Sequence, residues 1–168
     1  MKQILFTKKE IKKKVEEIAH NINMKGHKTP PVFICVLNGA FMFFTDLVKN
    51  ISECNIDFIR AKSYEGTIQS SIQITKSIEI DINGRDVYLV DDIYDTGNTM
   101  KALIEHLGVL NPKSITPITL FKKEFSNHPD LIYGFELYNE YFLVGYGLDG
   151  SKGLQRNLEY ILGVPNED

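Results

Sequence analysis

Apolar residues recur at helical spacing near the start of the chain. Ile11, Val15, Ile18, Ala19 and Ile22 share one face of a helix predicted over Thr7–Asn23. Thr7 and Glu10 stand at capping-box spacing at its start. After Thr29-Pro30-Pro31 the pattern changes. Val32–Leu37 is continuously apolar and short, as a strand buried on both faces is. Asn38-Gly39 predicts a turn, Ala40–Lys49 a helix and Asn55–Lys62 a second strand. Ser63–Ser71 reads as a long polar loop, and Ile72–Thr75 alternates like a strand with one wet face. Asn83-Gly84 marks another turn. Val87–Val90 is a second fully apolar strand, running through Asp91–Thr99 into a helix that reaches Leu107. Gly108 and Asn111-Pro112 end that helix; Ile115–Phe121 and Phe142–Val144 are further strands. Strands alternating with helices predict an α/β fold: a mostly parallel twisted sheet flanked by helices, as one domain over residues 1–168.

Composition narrows the function classes. Net charge is -3, so no general field attracts nucleic acid or anionic membrane, and a phosphate-bearing ligand needs a local site. Lys8, Lys9, Lys12, Lys13 and Lys14 interleave with Glu10, Glu16 and Glu17, which reads as a solvated face, with Glu10 set to pair with Lys14. Cys35 lies in an apolar run and Cys54 in a polar one, with no disulfide or zinc pattern. Met1–Lys14 lacks an apolar signal core, and no run nears the roughly 18 apolar residues of a membrane span. The expectation is a cytoplasmic protein with neither nucleic-acid nor membrane partners.

The chemistry concentrates in Asp91–Thr99. A buried strand, two acids, a small polar loop and a helix start follow one another. Ligands of open α/β sheets sit beyond the carboxyl ends of strands, and free amides at a helix N-terminus cradle phosphate. Thr96 and Thr99 add hydroxyls, and Gly97 lets the backbone approach closely. Asp91 and Asp92 beside a phosphate make sense as ligands of sugar hydroxyls or of a hydrated divalent cation. On these residues alone, an acidic loop with an ordinary helix cap is an equal reading. Asp95-Thr96-Gly97 also spells the aspartic-protease tripeptide, but it occurs once and leads into a helix. The Gly-Lys-Ser/Thr phosphate loop is absent, and Ile93 stands where a calcium loop needs an oxygen.

Val90-Asp91-Asp92-Ile93-Tyr94-Asp95-Thr96-Gly97-Asn98-Thr99 resembles the phosphoribosyl-pyrophosphate signature of type I phosphoribosyltransferases, in the spelling of the hypoxanthine-guanine branch. The resemblance continues in order through Leu37–Phe41, Asp57–Arg60 with Ser63-Tyr64, Leu120–Lys123, Phe142–Asp149 and Arg156-Asn157-Leu158. It implies the type I fold with a small hood formed by the chain termini. It also implies transfer of a 5-phosphoribosyl group from phosphoribosyl pyrophosphate to a 6-oxopurine, hypoxanthine and guanine, in purine salvage. By resemblance Asp91 and Asp92 hold the ribose, directly or through Mg2+, with Asp149 near a magnesium ion and the purine 2-position. Asp95 is the general base at N7, and Thr96, Gly97, Asn98 and Thr99 hold the 5′-phosphate. Lys122 donates to the 6-oxo group, Phe142 stacks on the ring, Leu143 offers its backbone and Tyr94 forms the floor. Asn38, Gly39 and Arg156 take the pyrophosphate, in a loop where the family can carry a non-proline cis peptide. Ser63 and Tyr64 belong to a closing lid, and relatives assemble as homo-dimers or tetramers.

Three positions depart from the pattern. Asn38 replaces a lysine or arginine common in relatives, the Asp149–Arg156 spacing is one residue longer than in some, and Lys123–His128 lacks an arginine. All three bear on pyrophosphate binding. Two other functions fit the same signature: a nucleotide-sensing regulatory protein, which needs an extra domain or a basic face, and a transferase preferring xanthine.

Overall fold

The structure, a computed structural model, describes residues 3–64, 71–138, 141–150 and 153–165. Its centre is a six-stranded sheet in the order β4-β3-β2-β5-β6-β7. These strands are β2 (Val32–Leu37), β3 (Asn55–Tyr64), β4 (Ser71–Lys76), β5 (Asp86–Tyr94), β6 (Ser114–Lys123) and β7 (Ile132–Leu137). All neighbours pair in parallel except β4, which runs antiparallel on the edge beside β3.

The apolar runs of β2 and β5 are explained by burial on both faces. Phe33, Cys35, Tyr88 and Val90 meet helices α1 (Lys8–Lys25) and α2 (Phe41–Val48). Val32, Ile34, Val36, Val87 and Leu89 meet α3 (Asn98–Gly108) on the other side. The α1 stripe is buried as its spacing predicts, and the capping box forms: Thr7 Oγ1 accepts from Glu10 N at 3.3 Å, and Glu10 Oε2 accepts from Thr7 N at 2.8 Å. Because the cap engages Glu10, Lys14 pairs with Glu17 instead, at 2.8 Å.

A second, three-stranded antiparallel sheet joins the chain ends: β1 (Gln3–Phe6), β9 (Ile161–Pro165) and β8 (Tyr141–Val144), in that order. This is the expected hood. Leu143, Tyr146 and Ile161 enter the core that α1 and α2 share with the main sheet, which seats the hood on that face.

Two strands are longer than their apolar runs, and this positions the site. β5 continues through Asp91 and Asp92 to Tyr94 beside β6: Asp91 lies opposite Thr119, Ile93 opposite Phe121 and Tyr94 opposite Lys122. Side-chain alternation slips once along each strand. Val90 and Ile93 both face the α1/α2 side, and so do Leu120 and Phe121, while Tyr94 faces the α3 side. A one-residue slip reverses every later side chain.

Candidate active site

The β5–α3 connection builds an anion cradle. Gly97 takes φ 81°, a left-handed conformation open to glycine at little cost, and a Cβ there would meet the Tyr94 hydroxyl. No side chain caps α3; the nearest approach is a long one, Asn98 N to Thr96 Oγ1 at 3.4 Å. The first amides of α3 are thus available to a ligand. They border a cavity of about 180 Å³ whose walls include Asp91, Asp92, Asp95, Thr96, Gly97 and Thr99.

Asp91 and Asp92 sit at its inner end. Burial pushes both carboxyls above the usual range, and the charge of Asp92 raises Asp91 further. Each bonds the next backbone amide: Asp92 N to Asp91 Oδ1 at 2.8 Å, and Ile93 N to Asp92 Oδ1 at 2.7 Å. Among the described residues neither has a cationic partner within 4 Å. Asp92 also presses on the β2–α2 turn, where a Cβ on Gly39 would overlap its Oδ2. The cis peptide of this turn joins Leu37 to Asn38, one bond before the Asn38-Gly39 pair. Gly39 is closed from the other side by Gly147, whose added Cβ would overlap the Gly39 carbonyl. Arg156 ties this junction, donating from Nη1 to Gly147 O at 2.6 Å and pairing from Nη2 with Asp149 Oδ2 at 2.8 Å.

A second cavity, about 310 Å³, opens beside the cradle on the hood side. Ile93, Asp95, Lys123, Phe142, Leu143 and Asp149 are among its walls, with Tyr138 and Tyr141. Asp95 lines both cavities. Its Oδ1 lies 2.9 Å from Lys123 Nζ.

Two sequence expectations are corrected here. Lys122 does not reach this pocket. It pairs with Glu136 at 3.0 Å and lies over the Tyr133 ring at 5.0 Å, with Glu136 holding its ammonium above the ordinary lysine value. Lys123, one residue on, occupies the place assigned to it, because the slip after Leu120 sends Lys122 to the α3 side. Tyr94 is not the floor of this pocket, since it is buried in the α3-side core beside Gly97; Ile93 lines the pocket instead. Asp149 lines this second cavity and pairs with Arg156, while Asp91 and Asp92 line the first. The signal that could have found Ile93 and Lys123 is the register of β5 on β6, invisible in either strand alone. Asn38 and Gly39 lie at the cradle's inner end, and Phe142 stands half-exposed at the pocket. Ser63 and Tyr64 end β3. Their side chains, and the loop 65–70 assigned to the lid, lie outside the described residues.

An amide cradle, a buried acid pair and a flat-sided pocket, in line beyond the carboxyl edge of a parallel sheet, define the class: a domain that grips a phosphorylated sugar next to a heterocycle. Residues 2–150 match the phosphoribosyl transferase domain. Over 96% of its length the chain is 35% identical to the hypoxanthine-guanine phosphoribosyltransferase of Bacillus subtilis, covering 92% of that protein. It is 39% identical over 96% to the Aquifex aeolicus protein of the same description, covering 94% of it. The hypoxanthine-guanine-xanthine phosphoribosyltransferase of Tritrichomonas foetus is 35% identical over 99% of the chain and 93% of its own length. A crystal structure of a hypoxanthine-guanine phosphoribosyltransferase from Bacillus anthracis superposes with a TM-score of 0.89, at 33% identity over 96% of this chain and 98% of that one. The chain belongs to the hypoxanthine-guanine phosphoribosyltransferase family, and is an enzyme of that class.

Proposed function

We propose that the chain transfers the 5-phosphoribosyl group of phosphoribosyl pyrophosphate to hypoxanthine and guanine, releasing pyrophosphate. One observation carries the reading: a single carboxylate, Asp95, lines both the phosphate cradle and the pocket that holds Ile93, Phe142 and Lys123. A group there reaches sugar and base together.

In this reading the amides and hydroxyls of Thr96–Thr99 hold the 5′-phosphate at the start of α3. Asp91 and Asp92 take the ribose hydroxyls. The base lies between Ile93 and Phe142, with Leu143 offering its backbone and Asp149 flanking the 2-position. Purine N9 forms its bond to C1′ as the C1′–oxygen bond breaks, and the electron pair leaves with pyrophosphate. Asp95 takes the proton from N7. Lys123, in place of Lys122, donates to the 6-oxo group. Backbone around Asn38-Gly39 and the Arg156 guanidinium receive the pyrophosphate, which meets the lack of a basic side chain at position 38.

Mg2+ fits the donors present. Asp91 and Asp92 are hard oxygen donors with no cation within 4 Å among the described residues, and magnesium is commonly held by one or two carboxylates plus substrate phosphates. Asp91 and Asp92 would hold the ion, which would supply neutralisation of charge on the departing pyrophosphate. The proposal includes a cytoplasmic homo-oligomer, whose mass light scattering measures.

The test mixes protein, magnesium and phosphoribosyl pyrophosphate with each base in turn and follows pyrophosphate. Release with hypoxanthine and guanine but not adenine supports the reading; release with none of them removes it. Xanthine is a further arm, because the Tritrichomonas foetus relative is named for it.

A further inference from the structure

Asp95 and Lys123 confront each other across the base pocket from the ends of β5 and β6, 2.9 Å apart. Each is assigned a separate task on the base, yet here each occupies the other. At this distance Lys123 Nζ occupies a carboxylate oxygen that would receive the proton. The pair is accessible, with side chains 53% and 35% exposed, so a ligand can compete for it.

Two of the acids near the lysine are already held by other cations. Asp149, the other carboxylate of this pocket, is held by Arg156 at 2.8 Å. Glu136, beside β6, is held by Lys122 at 3.0 Å. Ser126 Oγ donates to the main-chain oxygen of Asp95, which anchors the acid's backbone. The lysine, with four methylenes, is the mobile partner. A carbonyl oxygen entering the pocket is the acceptor that can draw it away.

We infer that the 6-oxo group releases the proton acceptor: it draws Lys123 off Asp95, and Asp95 is then free to take the N7 proton. Lys123 thereby sets specificity in the chemical step as well as in binding. A purine without an acceptor at C6 leaves the ion pair closed and reacts slowly even when bound. This inference rests on the proposed function above.

The experiment measures kcat and KM for hypoxanthine and for unsubstituted purine, following pyrophosphate release, in the wild type and in Lys123→Met. At saturation, binding losses no longer count. In the wild type kcat for hypoxanthine exceeds that for purine. In Lys123→Met the KM for hypoxanthine rises, while kcat for purine rises severalfold, since no cation then holds the carboxylate oxygen. The kcat ratio of the two bases then collapses. An unchanged kcat ratio, with only KM altered, overturns the inference and leaves Lys123 a binding group. Lys123→Arg is the second variant. Its guanidinium grips a carboxylate in two places, so kcat for hypoxanthine falls at least about tenfold although a carbonyl donor is kept. Full kcat in the arginine variant also counts against the release. If the wild type turns over no hypoxanthine, the proposed function itself fails and this inference goes with it.

Discussion

Thr119 is fully buried on β6, in register with Asp91, and among the described residues its hydroxyl has no hydrogen-bond partner. A desolvated, unpaired hydroxyl costs stability, and valine has the same shape without it. Thr119→Val is expected to raise stability by about 1 kcal/mol, read as a higher Tm; a lower Tm would mean that the hydroxyl is satisfied. Asp95 carries a heavier load. Asp95→Asn keeps the size of the side chain and removes the proton acceptor, so turnover should fall about 100- to 10,000-fold. Binding of phosphoribosyl pyrophosphate, followed by calorimetry, should persist, and unchanged turnover removes Asp95 as the base. Lys122→Ala checks the corrected assignment: KM for hypoxanthine should stay nearly unchanged, because Lys122 lies outside the pocket. A large rise in KM would return the purine contact to Lys122.

Among the elements, the edge of the sheet depends on one buried acid. Asp57 on β3 accepts from Phe58 N at 2.7 Å, Glu79 N at 2.6 Å and Ile80 N at 2.9 Å, with Lys76 Nζ 3.8 Å away. Burial pushes its carboxyl up, but the three amides and the lysine outweigh that and hold it below the usual range. A lowered carboxyl stabilises the fold fully above the unfolded value near about 3.9, and the gain is lost as pH falls through the folded value. Asp57→Asn should cost about 1–3 kcal/mol at pH 7 and flatten the acid limb of the Tm-against-pH curve. An acid limb of unchanged steepness would rule this out. The elements differ in how openly the sequence carries them. α1 and β2 were legible because spacing, cap and apolar run agree. β7 was not: Gly134 interrupts Ile132–Leu137, and the reason lies on β6, where a Cβ at 134 would stand 2.7 Å from the Leu120 carbonyl. β9 hides in the same way. Gly163 leaves room for the Leu5 side chain of β1, more than 150 residues away in the chain.

Across the whole molecule, the site is closed where the segment leading from the hood meets the main sheet. Gly147, at φ 99°, packs on the Gly39 carbonyl, and Arg156 bonds its own carbonyl. Gly147→Ala should therefore force the two segments apart. The expected result is a lower Tm together with a raised KM for phosphoribosyl pyrophosphate, since both the strained φ and the overlap act at the pyrophosphate turn. A fall in Tm with KM unchanged would separate the joint from the site. Tyr146, between two glycines, donates its hydroxyl to Asp46 Oδ2 at 2.8 Å, so the same segment is also fastened to α2.

Local pattern in the chain carried the α/β class, the α1 cap, the β2 strand and the Asp91–Thr99 cradle, because each depends on neighbours a few residues apart. The family spelling added the reaction class. Which lysine and which β5 residue line the second cavity was decided by pairing instead. The side-chain phase of β5 and β6 slips once along each strand, and only their packing between two helical layers registers that slip. The same holds for the Gly39–Gly147 contact and the Asp95–Lys123 pair, where residues distant in sequence meet because the sheet brings its carboxyl ends together.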